Sequence, residues 1–373
     1  MIARGHNEAE VTWTEEILDP GVLTIGFARR FAKYKRGTLL LSDVDRLKRL
    51  LLSGDRPIQV VIAGKAHPLD DGGKEMIQAL VHFAADPEVR LRFAFIEDYD
   101  MEVGRVLCQG SDVWLNNPRR PLEACGTSGM KAALNGSLNC SVLDGWWDEC
   151  YDGKNGWAIG TRESFLDEAH QDRVEGSALY DLLEREIVPR FYDRPEGPIP
   201  RRWVERMKHS IASLGSYVTA DRMVRDYVES LYVPAAIQGR ALAGDGFARA
   251  RGLSAWKQKI GETWEDIRVL DVEGDVTAAD VGAERKVAAT IRLGRLPTDD
   301  VAVQLAHGRV GANHELIDPR IVEMSAEQVQ DDTCRYTGSF TTEEAGLYGF
   351  AVRVLPRHPD LTNGMDLGLV TWA

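Results

Sequence analysis

The stretch VLTIGFARRFAKYKRGTLLLSDVDRLKRLLLSGDRPIQVVIAG, Val22 to Gly64, holds two apolar β-type runs with a helical pattern between them. The same alternation continues outward. Further strand-like runs appear at LRFAFIE, SDVWLN and SLNCSVLD, and helical patterns at GGKEMIQALVHFAA, MEVGRVLCQG and SGMKAALNG. Strands that alternate with helices of this length imply right-handed βαβ units and a parallel sheet. The strands read as near-continuous hydrophobic runs, as expected when helices cover both faces. The fold class is therefore α/β, a Rossmann-like doubly wound parallel sheet, whose ligands lie beyond the carboxyl ends of the strands.

Beyond this core the periodicity changes twice. Residues 174–236 carry apolar positions at helical spacing, interrupted by Pro195, Pro198 and Pro200. After a small-residue stretch, AAIQGRALAGDGFARARG, short alternating runs such as RKVAATIRLG, VAVQLAHG and LYGFAVRVLP recur between turn signals. That pattern predicts an all-β, sandwich-like domain. The expected organisation is a helical lead-in over 1–20, the Rossmann-like domain with its C-terminal helices over 21–236, a linker over 237–262 and the β domain over 263–373.

The formal net charge of −13 argues against nucleic acid or an anionic membrane as the main partner. The five cysteines form no C-x-x-C pair, and no leader is read at the start, so free thiols and a cytoplasmic location are expected, with no metal. No apolar run reaches the roughly 18 residues of a spanning helix.

Four stretches could carry chemistry. FARRFAKYKR places Arg29, Arg30, Lys33, Lys35 and Arg36 just after a parallel strand, as an anion site or as a solvated basic face. GTSGMK, Gly126 to Lys131, offers a small-residue cradle with a lysine behind it. It has neither the P-loop spacing nor G-x-G-x-x-G. It reads as a site for an imine to a phosphorylated aldehyde, or as a capped helix with one exposed lysine. GKAHPLDDGGK holds His67, a ligand or a polar loop residue, and Asp70 and Asp71 in a turn that caps the next helix. DGWWDECYDGKNGWAIG sets Trp146, Trp147 and Trp157 among carboxylates, as a sugar-facing surface or as a packed loop.

Together TIGFARRFAKYKR, DVWLNNPRRPLEACGTSGMKAALNG and DGWWDE…NGWAIG resemble the α-glucan phosphorylases, most closely their bacterial branch. The resemblance runs through most of residues 10–235 and extends to the β tail. It implies pyridoxal 5′-phosphate as cofactor, with Lys131 as its Schiff-base residue. Thr127 and the backbone N–H of Ser128 would hold the cofactor phosphate, with Arg29 opposite and Tyr99 beside the ring. Arg30 and Lys35 match the residues that bind substrate phosphate. Glu123, Cys125 and Gly126 match the stretch that contacts the reacting glucosyl unit. The implied reaction turns α-1,4-glucan and inorganic phosphate into a shortened glucan and α-glucose 1-phosphate. In it the cofactor phosphate relays a proton through inorganic phosphate.

Two positions depart from the family pattern. Cys125 stands where many members have Ser, and Asp100 where animal and plant members often have Arg. The resemblance also begins near the first strand of the second of two Rossmann-like (GT-B type) domains. The expectation is then a C-terminal portion, with the first domain supplied by another chain or by the rest of a longer one. The C-terminal helices would expose apolar faces, and a homo-oligomer stays open. Competing readings are a catalytically silent cofactor-binding fragment or partner-binding module, and a nucleotide-sugar glycosyltransferase on the same fold.

Overall fold

The computed structural model describes residue 5 and residues 7–373, apart from 164, 196, 279, 312–314 and 344. The chain divides into two compact units, Met1–Asp226 and Tyr227–Ala373.

The first unit is built on six strands: β1 (Leu23–Ala28), β2 (Ile58–Ala63), β3 (Phe93–Ile96), β4 (Val113–Asn116), β5 (Leu138–Val142) and β6 (Gly156–Ile159). They form one sheet in the order β3-β2-β1-β4-β5-β6, with every neighbouring pair parallel. Every residue of β2 and β5 is buried, because helices lie on both faces of the sheet. One face packs Leu23, Ile25, Phe27, Ile58, Val60 and Ile62 into the main core, against Leu47 and Leu51 of the helix Val44–Leu51. The other packs Ala28, Val61 and Ala63 against Leu107, Cys108 and Ala132. Aspartates start the helices that follow the strands: Asp43, Asp70 and Asp100 each accept a hydrogen bond from a backbone N–H three residues on. Strand order reverses between β1 and β4, so their carboxyl ends frame the crevice where a doubly wound sheet takes its ligand.

The second unit has two four-stranded antiparallel sheets. One runs β10-β9-β13-β14 and the other β11-β12-β8-β7. Their strands are β7 (Arg268–Gly274), β8 (Glu284–Arg292), β9 (Val301–Val310), β10 (Leu316–Glu323), β11 (Ser325–Gln330), β12 (Thr333–Thr341), β13 (Tyr348–Pro356) and β14 (Thr371–Trp372). Val287, Ala289 and Ile291 of β8 meet Val303 and Leu305 of β9 and Val352 and Val354 of β13 in one core. The stretch expected to be a linker lies within a helix, Val233–Thr263, that leaves helical geometry at Gly244–Phe247. Its alanines favour helix, and the glycines Gly244 and Gly246 tolerate the break.

Candidate active site

The loops after β1 and β4 meet at the switch point. Arg29 follows β1 directly, and Lys35 closes a short turn, Lys33–Lys35. Asn116 ends β4, and Glu123 lies in the loop that leads to the helix Thr127–Leu134. Arg29 donates through Nη2 to Glu123 Oε2 (2.5 Å) and through Nη1 to Asn116 Oδ1. Lys35 Nζ reaches both oxygens of the same carboxylate, at 2.8 and 2.5 Å. The side chains of Arg29, Glu123 and Lys35 are 7%, 7% and 12% exposed. Burial lowers the Arg29 pKa, and the Glu123 carboxylate opposes that shift.

The Glu123 loop is held from behind. Asp144, just after β5, accepts from the backbone N–H groups of Glu123 (2.8 Å) and Gly145 (3.0 Å). Trp146 N–H donates to Cys125 O (2.9 Å). A Cβ on Gly145 would lie 2.4 Å from Cys125 O, so only glycine allows this approach. Asp144 and Asn116 were not singled out from sequence. The short Asp-Gly pair before the tryptophans was the available signal for Asp144.

The helix Thr127–Leu134 begins at Gly126, whose φ is +90°, and no side chain caps its first turn. Ser128 Oγ accepts from Trp114 Nε1 at 3.2 Å, while the side chain of Thr127 faces outward. Lys131, one turn on, is exposed. Its ammonium offsets part of the upward shift that burial imposes on the Cys108 thiol. Tyr99 borders the same thiol: burial raises its pKa first, then Cys108 and Asp100. Tyr99 packs against the buried cluster that holds Cys108 and Leu107.

The rest of the basic cluster separates. Arg36 turns inward, 3% exposed, and ties Asn117 O (2.9 Å), Pro118 O (2.8 Å), Asp172 and Glu175 together. Lys33 pairs with Glu168 at the surface. Arg30 is exposed and has no ion pair among the described residues. His67 is a loop residue whose Nδ1 accepts from Leu69 N–H at 3.2 Å. Trp146 and Trp147, on the helix Trp146–Cys150, and Trp157, in β6, are buried, so the aromatic run is packed inside and is not a sugar platform. Cys125 is half-buried, and burial and then the Glu123 and Glu149 carboxylates raise its thiol pKa.

Residues 15–163 match the carbohydrate phosphorylase family, and residues 264–373 match the glycogen phosphorylase C-terminal domain. The chain is 50% identical over its whole length to a glycogen phosphorylase of Mycobacterium tuberculosis, of which it spans 44%. It is 39% identical over 95% of its length to a maltodextrin phosphorylase of Thermococcus litoralis, of which it spans 42%. The chain belongs to the α-glucan phosphorylase family. It spans less than half the length of these relatives. The family's parallel α/β sheet and antiparallel β region are both present.

Groups at the site suit a phosphorylated pyridine aldehyde. The uncapped first turn of Thr127–Leu134 presents N–H groups behind a positive-φ glycine. Arg29 Nε is buried without a hydrogen-bond partner. Lys131 supplies an amine from the last turn of the same helix.

Proposed function

We propose that this chain is the cofactor- and phosphate-holding part of an α-1,4-glucan phosphorylase, which converts glucan and inorganic phosphate into a shortened glucan and α-D-glucose 1-phosphate. One observation carries the reading. Arg29, Lys35 and Glu123 converge at the β1/β4 switch point, in the same unit as the helix that bears Lys131.

Lys131 would hold pyridoxal 5′-phosphate through its amine. The N–H of Ser128, the hydroxyl of Thr127 and the guanidinium of Arg29 would hold the cofactor phosphate, and Tyr99 would lie beside the ring. When bound, the cofactor supplies a phosphate as an acid–base group next to the substrate phosphate. Arg30 and Lys35 bind inorganic phosphate and offset the repulsion between neighbouring anions. Glu123 accepts hydroxyl hydrogens from the glucosyl unit, and the amides of Cys125 and Gly126 donate to it. The Cys125 side chain matters little if the contact is made by the backbone N–H. A two-carboxylate glycosidase site is not required. The cytoplasm is the proposed location. Among the described residues no helix is long and apolar enough to cross a membrane.

The test is to add pyridoxal 5′-phosphate to the purified chain, reduce with borohydride and map the modified peptide. One adduct at Lys131, lost in Lys131→Ala, is the expected result. Scattered labelling of surface lysines, unchanged in that variant, would overturn the assignment. Glucose 1-phosphate formation from maltodextrin then measures separately whether the chain turns over unaided.

A further inference from the structure

Glu123 pairs with Arg29, which the proposed function assigns to the cofactor phosphate, and with Lys35, which it assigns to inorganic phosphate. Its Oε2 takes bonds from Arg29 and Lys35 at 2.5 Å each, and its Oε1 takes a second from Lys35 at 2.8 Å. These are the contacts that two phosphate oxygens would make with the same donors. No other carboxylate pairs with Arg29 or Lys35 among the described residues. Two cations this buried need an anion beside them, because a desolvated charge without a partner is strongly unfavourable.

We propose that Glu123 is the resident anion of the phosphate site, and that incoming phosphate displaces its carboxylate and hands it to the sugar. The proposal rests on the reading above, in which Arg29 holds the cofactor phosphate and Lys35 inorganic phosphate, so that in the cofactor-free chain the two form one anion site filled by Glu123. Charge favours the exchange: two cations hold a single negative charge in the resting chain, and a phosphate dianion matches them better. Geometry confines the movement to the side chain. The Glu123 N–H is anchored to Asp144 Oδ2 at 2.8 Å, and its carbonyl O lies 2.9 Å from where a Cβ on Gly145 would sit. The loop therefore stays in place while the carboxylate rotates. Once released, it is an ionised acceptor beside the Cys125 and Gly126 amides, ready for hydroxyl groups. Phosphate and sugar then bind with positive coupling, and the coupling is reciprocal. The resting chain also resists other anions, since each must compete with a tethered carboxylate.

The experiment is calorimetric titration of inorganic phosphate into the full chain and into Glu123→Gln, at constant ionic strength in chloride. The variant is expected to bind phosphate at least tenfold more tightly, because the competing charge is gone. Glu123→Asp, one methylene too short to span both cations, is expected to fall between the two. It also supplies the comparison if Glu123→Gln folds poorly. In a second titration, phosphate is expected to lower the Kd of the wild-type chain for glucose several-fold, with no such effect in Glu123→Gln. Equal or weaker phosphate binding by both variants would overturn the displacement. A glucose affinity indifferent to phosphate in the wild-type chain would overturn the hand-over. Phosphate binding by none of the three proteins would instead remove the reading of Arg29 and Lys35, and the proposal with it.

Discussion

Lys35 and Arg36 are neighbours in sequence with opposite duties. Lys35 Nζ bonds to Glu123 and lies over the Tyr34 ring, whereas Arg36 is buried against two backbone carbonyls and two carboxylates. Lys35→Ala is expected to weaken phosphate binding by one to two orders of magnitude, on the order of 2 kcal/mol, with little change in the urea midpoint. Arg36→Ala is expected to do the reverse. It leaves Glu175, 1% exposed, without its cation, which costs about 3–5 kcal/mol in urea unfolding. Asp148 offers a pH test. Burial alone would raise its pKa, but hydrogen bonds from Arg120 and Arg162 hold it below the usual carboxylate range. Ionised Asp148 thus adds stability above the ordinary carboxylate pKa, and that contribution is lost as pH falls through the depressed folded value. Asp148→Asn should therefore destabilise the chain by roughly 1 kcal/mol at pH 7. The gap between the two proteins should close in acid, which urea melts across pH 3–7 would show.

The helix Thr127–Leu134 is short, and the proposed cofactor site lies at its start. Gly126 at φ +90° starts the helix without a side-chain cap, and a Cβ there would come within 3.2 Å of Trp146 Cδ1. Gly126→Ala is expected to cost about 1–2 kcal/mol through the left-handed backbone alone. It should also lower the yield of the Lys131 adduct, since the first turn must shift. Asp70→Ala tests an ordinary cap, with an expected loss of about 1 kcal/mol and an unchanged adduct. Strands β1 to β5 and these helices were legible in the sequence, because hydrophobic period and capping residues are local signals, whereas β6 lay unread within the aromatic run. The Arg29–Glu123–Lys35 cluster was not, because Glu123 lies 94 residues from Arg29 and only the sheet order brings them together. The aromatic run was equally ambiguous. Trp146, Trp147 and Trp157 have the composition of a sugar platform, and packing put them inside.

The two compact units place the whole proposed site in Met1–Asp226 and leave the β-rich unit with a core of its own. Leu305, fully buried in that core, should cost about 2–5 kcal/mol when cut to alanine, read as a lower melting transition. In the stretch 217–232, Tyr217, Val224, Tyr227, Leu231 and Tyr232 are exposed, as the family resemblance implied for the helices over about Arg201–Tyr232.

Sequence alone determined the α/β class, the antiparallel β-rich tail and the family. Those properties follow from periodicity and from motifs contiguous along the chain. Tertiary structure decided which member of a basic run pairs with Glu123 and which braces a loop, that Asp144 anchors Glu123, and that one carboxylate neutralises two cations. Each of those depends on the β1/β4 reversal, which joins distant loops in a crevice where burial makes every unpaired charge costly.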